Sequence, residues 1–481
     1  MHLVRWGVVA LFAALALPNP AQAFELSIGG PDTDAAYSVA QTVDGGFVAG
    51  GFYQNGYLLE LYVVKASSSG VIQWDTRVSG LGWKDIAYDL VPSSDGSVLV
   101  IGSAVLPSVG TRPVLVKLNA AGEVIWTTED GISNLIPAAS GIVHGFVRSD
   151  GSIVIGGGSN SMSNPIDPWL AEITAEGELT SFHSYPPLFG PGFGVQTYVN
   201  DLSPSADGGL VVTGYAAGPT RGYVWKLDPQ FATEWVVDLG ATSFLGTANS
   251  IDLAANGDYV VTGSHGPNGL NTQIVRVDPS GGVVWSHDLV HPDGWYSSGR
   301  DVVERNDGTL ALLESSIEAI GSPVYRSAVL HVDGESGEVI DRFEVTVADS
   351  STAMSAGAPT ADGGYILAGS TNQYTNYASD LAMVLVEPEF FRTTDPAAVD
   401  LGGDGVELLL GPNPASRTLW IRSESEIVVA RIYDVRGRLV LTAPAAGTTA
   451  TIDVSSLRAG AHWALLVTRD GIAVRKLLIQ R

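Results

Sequence analysis

The side chains able to do chemistry in this chain are few and scattered, and their spacing argues against most reaction types. The densest group is His287-Asp288 with His291-Pro292-Asp293, imidazoles and carboxylates that invite a metal reading. On an extended strand, residues four apart lie about 13 Å from one another, too far for one ion unless the chain bends at Pro292. A solvated polar loop is the expectation there. Asp400-Leu401-Gly402-Gly403-Asp404-Gly405 sets carboxylates in a Gly-rich stretch, the one calcium candidate. It lacks the alternating oxygens and closing bidentate Glu of a calcium loop, so a linker is expected. No Gly-x-Ser-x-Gly elbow follows a strand, and no cysteine exists to act as a nucleophile. No Gly-rich phosphate loop precedes a helix. No catalytic residue, metal ligand or other cofactor is assigned.

What remains is aromatic. Tyr53, Tyr57, Tyr185, Phe189, Phe193, Trp295, Tyr296, Tyr374 and Tyr377 sit in segments rich in Asn, Gln, Asp and Gly. Flat rings that stack, beside small polar groups that hydrogen-bond, suit a glycan or an extended peptide. Loop aromatics also pack against their own scaffold, so the elements that carry them decide the matter.

Those elements repeat. Asp44-Gly45, Asp95-Gly96, Asp150-Gly151, Asp207-Gly208, Asn256-Gly257, Asp307-Gly308 and Asp362-Gly363 each join two apolar runs, and successive pairs lie 49 to 57 residues apart. The dipeptides suit two-residue hairpin turns with positive φ, and turn geometry alone accounts for their Asp. Each unit then continues through patterns such as Val64-Lys65…Gly70…Trp74 and Val275-Arg276…Gly281…Trp285. Four strands per unit follow, with the tryptophans as inter-unit packing. The pattern predicts an all-β chain whose body is a seven-bladed β-propeller of four-stranded blades. The seventh unit has no fourth strand after Leu381–Val386, whereas residues 24–30 resemble one, so that segment is expected to close the last blade. In such a blade the Asp-Gly turns share one face and the long, non-repeating loops share the other, where function is expected.

Composition sets the surroundings. With 481 residues, 45% hydrophobic and 16% charged, the chain can bury a large core and is long enough for two domains. Arg5, an apolar run from Val8 to Leu17 and Ala21-Gln22-Ala23 read as a signal peptide over 1–23, cleaved between Ala23 and Phe24. No transmembrane span is expected beyond it. The absence of Cys excludes disulfides, thiolate metal sites and a lipidated-cysteine anchor. Residues 404–481 hold 10 Lys+Arg against 7 Asp+Glu, and Arg5 precedes residue 24, which leaves −30 for 24–403 out of the total −26. A surface of that sign repels phosphate backbones and excludes nucleic acid as a partner. A soluble monomer is expected.

Beyond residues 24–392 comes a linker, 393–407, and then short alternating strands over 408–481 that predict a small Ig-like β-sandwich. This tail carries Pro412-Asn413-Pro414, Ile432-Tyr433-Asp434 with Gly437, Leu457-Arg458-Ala459-Gly460 before an aromatic strand, and Lys476 followed by apolar residues. On these motifs it resembles the type A C-terminal sorting domain of the type IX secretion system of Bacteroidetes-like bacteria. His462 stands where that family usually has Tyr. The resemblance implies export, the type IX machinery as partner, and a secreted or outer cell-surface location. The body is similar, more loosely, to secreted bacterial propellers, and quinoprotein propellers also carry Gly…Trp repeats. The expected function is a non-catalytic binding or adhesion module for a glycan or protein ligand. The alternatives are an extracellular polysaccharide-active enzyme and a quinoprotein-like oxidoreductase.

Overall fold

The computed structural model describes residues 22–391 and 408–479, except 30–31, 108–109, 129–138, 160–166, 190–195, 218–219, 240–245, 266–270, 320–321, 323, 346, 348–350 and 373–378 in the body and 412–416, 424–426, 435–438, 445–446, 459 and 469–471 in the tail. It forms two compact units, residues 1–391 and 392–481.

Among the described residues the first unit holds seven four-stranded antiparallel sheets, the blades of a seven-bladed propeller. Blade one is Asp34–Gln41, Phe47–Asn55, Leu58–Ala66 and Ile72–Val78. Blades two to six span 85–127, 139–184, 196–238, 247–289 and 296–345. Blade seven takes three strands from 351–386 and its fourth from Gln22–Ile28, which pairs Phe24 with Leu385 and Ile28 with Leu381. First strands of successive blades pack together around the ring. Second and third strands are buried almost throughout, as in Phe47–Asn55 and Leu58–Ala66, whereas fourth strands alternate exposed and half-buried residues. That gradient explains the continuous apolar runs of the middle strands.

The seven first-to-second-strand turns differ from the two-residue form expected. At Thr42–Gly46 the Gly45 amide donates to the Thr42 carbonyl at 2.9 Å, and the Thr42 amide to the Gly46 carbonyl at 2.8 Å. Only Gly45 has positive φ, at 79°. A two-residue primed turn would need Asp44 there as well, so this is a type I turn closed by a glycine bulge. Asp44 stays right-handed because its carboxylate does a second job, accepting Gly46 N at 3.2 Å and Lys65 Nζ at 2.5 Å. Asp207 repeats this with Gly209 and the buried Lys226.

Between blades, an aromatic of one fourth strand lies across the glycine of the next blade's third-to-fourth turn. A Cβ on Gly122 would stand 2.6 Å from the Trp74 ring, and one on Gly281 would stand 3.1 Å from Trp235. Trp74 Nε1 and Trp235 Nε1 donate into those same turns, to Ala120 and Pro279. Phe24 takes the position in the closing strand, with a Gly70 Cβ falling 2.9 Å from it and Phe47 5.8 Å away.

In the second unit, strands Leu408–Gly411, Thr418–Ser423 and Thr449–Asp453 form one sheet, while Ile427–Asp434, Leu439–Pro444, Gly460–Thr468 and Ile472–Ile479 form another. Both contribute to one core that includes Leu419, Ile421, Ile432, Ala464 and Leu477. This is a small β-sandwich.

Candidate functional site

The innermost strands carry a bulge in every blade, for example between Ala87 and Asp89 and between Gly299 and Asp301. The residue after the bulge is Asp89, Asp201 and Asp301 in blades two, four and six. Each accepts an amide from the next blade: Gly145 N at 3.3 Å, Ile251 N at 3.0 Å and Gly357 N at 2.8 Å. Ser38 and Ser250 of the preceding blades donate to Asp89 and Asp301. Burial pushes Asp201 up to about 7 and raises Asp301. His144, 3.9 Å from Asp89, is pulled down by burial, yet its bond to Asp89 and the field of Asp201 and Asp301 leave it raised overall. These hydrogen bonds stitch blade to blade.

On the opposite face from the Asp-Gly turns, the aromatics divide. Tyr57 is fully exposed, and Tyr53 is half-buried with the Arg77 guanidinium 3.5 Å over its ring. Tyr185 is turned away from this face: it meets Trp225 edge-on at 4.6 Å and donates its hydroxyl at 2.8 Å to the carbonyl of Phe231, in the third-to-fourth turn of blade four on the side of the Asp-Gly turns. Phe189 lies against Tyr223, and both it and Tyr185 border the core of blade four. Trp295 stacks on His291 at 5.3 Å beneath Arg326, and Tyr296 opens blade six, half-buried. Phe193, Tyr374, Tyr377 and the calcium candidate at 400–405 lie outside the described residues. The structure therefore spreads these side chains over several blades. Sequence reading missed Trp83, which is 59% exposed on this face between blades one and two. Its signal was present, since it breaks from the Gly…Trp repeat.

The histidine run is not the solvated loop expected. His287 Nε2 donates to the Ser336 carbonyl in the next blade's turn, 2.8 Å away, and Asp288 holds His265 at 2.9 Å. His291 is buried, and burial lowers its pKa. Pro292 turns the chain inward, so the imidazole stacks on Trp295 instead of pointing to water. Beside it lies an ionic group with no counterpart among the described residues of other blades: Glu314, 1% exposed, takes Thr272 Oγ1 at 2.7 Å and Arg342 at 2.7 Å. Arg342 also holds Glu344. His265 and Asp288, with Asp238, Gln273 and Ser286, line an open groove of about 310 Å³. Among the described residues no three His, Cys, Asp or Glu side chains converge to hold a metal ion.

In the tail, Tyr433 and Asp434 pair with Trp463 and His462 in the central strands, and Gly460, with φ 131°, starts the next strand opposite Ile479. Lys476 pairs with Trp463, whereas Pro412, Asn413, Pro414 and Gly437 lie outside the described residues. His462, the departure from the family pattern, is buried with Nδ1 3.1 Å from Gly460 O.

No curated protein matches the chain. Solved structures that it is similar to include a protein of unknown function from Dyadobacter fermentans, at 11% identity, 76% of this chain, 98% of that one and TM-score 0.44. A fungal alcohol oxidase of the AA5 family in complex with copper matches at 12%, 95%, 98% and 0.47 on the same measures. A quinohemoprotein alcohol dehydrogenase from Comamonas testosteroni matches at 12%, 94%, 73% and 0.44. None of the described helices is long and apolar enough to cross a membrane. Residues 410–480 match the secretion system C-terminal sorting domain family. The chain is thus a seven-bladed β-propeller carrying a type IX secretion sorting domain, exported to the cell surface or beyond it.

Proposed function

We propose that the propeller is a binding or adhesion module for a glycan or protein, delivered by the sorting domain through the type IX machinery. Residues 1–23 act as a removed signal peptide ending at Ala23, and 393–407 link cargo to tail. The observation that carries the binding reading is the division of the propeller's two faces. All seven glycine turns, six Asp-Gly and one Asn-Gly, repeat on one, while aromatic side chains that break the repeat, including Tyr53, Tyr57, Trp295 and Tyr296, belong to the other. Tyr374 and Tyr377 complete that set in sequence, Phe189 acts as its buttress against blade four, and Tyr185 serves the packing between blades three and four.

The reading predicts that the secreted protein binds in a panel of polysaccharides, glycans and surface proteins without altering what it binds. Release of soluble sugars from a bound polysaccharide, lost on His265→Ala in the open groove, would replace it with the enzyme reading. Export has its own test in the native host. Deleting 408–481 should retain the propeller inside the outer membrane, and continued surface display would remove the tail from the pathway.

A further inference from the structure

Blade one makes an unusual connection on the long-loop face. Its second and third strands meet in a two-residue turn, Gly56-Tyr57, where Gly56 has φ 62° and Tyr57 does not have positive φ. This primed turn matches the twist of the flanking strands and continues the hairpin outward without slack. The hairpin is tied on both flanks. On one, Gly56 N donates to Asp32 at 3.3 Å and Gln54 N to Thr33 O at 3.2 Å. On the other, Leu59 N donates to Trp83 O at 3.1 Å, Trp83 N to Val105 O at 2.8 Å and Val105 N to Lys84 O at 3.0 Å. Residues 83–84 thus lie between the blade-one hairpin and blade two, with Leu59 and Lys84 in parallel register. The buried Asp85 carboxylate, facing the amides of Leu81 and Gly82, seats that segment from below.

Parallel neighbours point to the same side, so Leu58 and Trp83 project together. They are 45% and 59% exposed, and Tyr57, which precedes Leu58 at the tip of the turn, is 101% exposed. Locked backbone under bare rings is a costly arrangement for a surface with no ligand, and preorganisation is what it provides. The size of the patch selects the occupant. At roughly 150–250 Å² per aromatic side chain, the three residues expose on the order of 400 Å². A stable protein interface needs about 800 Å² per partner, whereas functional patches of 300–600 Å² are ordinary. At the base of the turn Asn55 Nδ2 donates to Glu60 Oε1 at 3.4 Å and Asp32 accepts the Gly56 amide, and the −30 of residues 24–403 repels anionic polymers.

We propose that Tyr57, Leu58 and Trp83 form a stacking platform for a neutral polysaccharide, a site that rests on the binding reading above and names its ligand class. The test uses the secreted protein in pull-down with insoluble β-glucan, xylan, mannan and chitin, against alginate and polygalacturonate. Wild type should be retained on at least one neutral polymer. Trp83→Ala and Tyr57→Ala should each weaken retention about tenfold or more, with Trp83→Phe keeping most of it and all variants melting as wild type does. Neutral-polymer binding that survives both alanine variants overturns the platform and leaves the binding reading intact. Retention on the anionic polymers alone overturns the ligand class. Failure on every polysaccharide overturns the platform, and failure on the protein panel as well removes the binding reading with it.

Discussion

Glu314 occupies a position that six other blades reserve for glycine: Gly51, Gly102, Gly157, Gly214, Gly263 and Gly369. There a Cβ would press on the first strand, 1.9 Å from Ala35 O at Gly51 and 1.8 Å from Thr247 O at Gly263. Blade six admits the larger residue by exchanging roles, since the residue opposite Glu314 is Gly299, where neighbouring blades have Ala, Val or Met. The price is a buried charge, offset by Arg342 and Thr272. Glu314→Ala is expected to destabilise the propeller by about 2–4 kcal/mol, because it strands a mostly buried guanidinium, and Glu314→Gln by less. Urea unfolding of the two variants measures this, and equal, negligible losses would show that neither the ion pair within blade six nor its bond from Thr272 of blade five stabilises the propeller. The glycine rhythm was readable in the sequence, and so was its break. What the break faces was not, because Thr272 and Arg342 come from other strands. Likewise His291 looked like a solvated residue until its burial placed it on Trp295.

At the scale of elements, the inter-blade aromatic is missing twice, and each time the following blade supplies a replacement. Blade three has Ser181 at the position of Trp74, pairing with Glu172 as Trp74 does with Lys65. Blade four answers with Phe231 in the turn where others have Gly. It is the one described non-glycine residue with positive φ, 63°, and it is 5% exposed against His183 at 5.1 Å. Blade six has Asp341 there, and Phe390, from the short helix after the last strand, packs on Phe343 at 5.5 Å. Left-handed strain of about 1–2 kcal/mol at Phe231 is outweighed by burying the ring. Phe231→Gly alone should therefore cost about 1–3 kcal/mol, and Ser181→Trp alone should crowd the occupied gap. The pair together should recover most of the loss, a coupling that a double-mutant cycle in denaturant would detect. Additive losses would disprove the exchange. Lys65…Gly70…Trp74 disclosed the rule in sequence, and blade count and strand order followed from it. The compensations stayed hidden because they join residues about fifty positions apart across a gap that only the folded ring creates.

For the molecule as a whole, Asp201 and Asp252 on the buried first strands and Asp44 and Asp207 in the turns titrate in opposite senses. Around the ring's inside, burial lifts Asp201 to about 7 and Asp252 to about 6, and His144 is also raised. The two carboxyls hold protons in the folded state that the unfolded chain releases earlier, so stability falls as pH climbs from about 4 to 7, and His144 adds a further fall above its ordinary value. On the turn face, the Lys65 bond holds Asp44 at about 2, and Lys226 does the same for Asp207 against burial. Their contribution is present above about pH 4 and disappears as pH falls towards 2. The melting temperature should therefore peak near about pH 5. Asp201→Asn keeps a hydrogen-bond acceptor for Ile251 without the charge, and should raise the melting temperature at pH 7.5 by about 1–3 °C while leaving pH 5 little changed. Scanning calorimetry across pH 3–8 checks both, and a profile flat from 5 to 8 would refute the inner-ring assignment. Charge counts in the sequence warned of repulsion, but which carboxylates would be lifted depends on bulges that no residue pattern announced.

The pairing of Phe24–Ile28 with Leu381–Leu385 joins segments as far apart as Ser27 and Asp380, 353 positions along the chain. Loop closure of that length is slow and is rewarded only at the end. A chain threaded outward from its beginning keeps an unpaired strand until blade seven emerges, and the sorting signal at 410–480 follows within a few tens of residues. Completion of the cargo and appearance of its address therefore coincide. A fragment that stops short of the seventh blade therefore lacks both the partner strand of Phe24–Ile28 and the sorting domain.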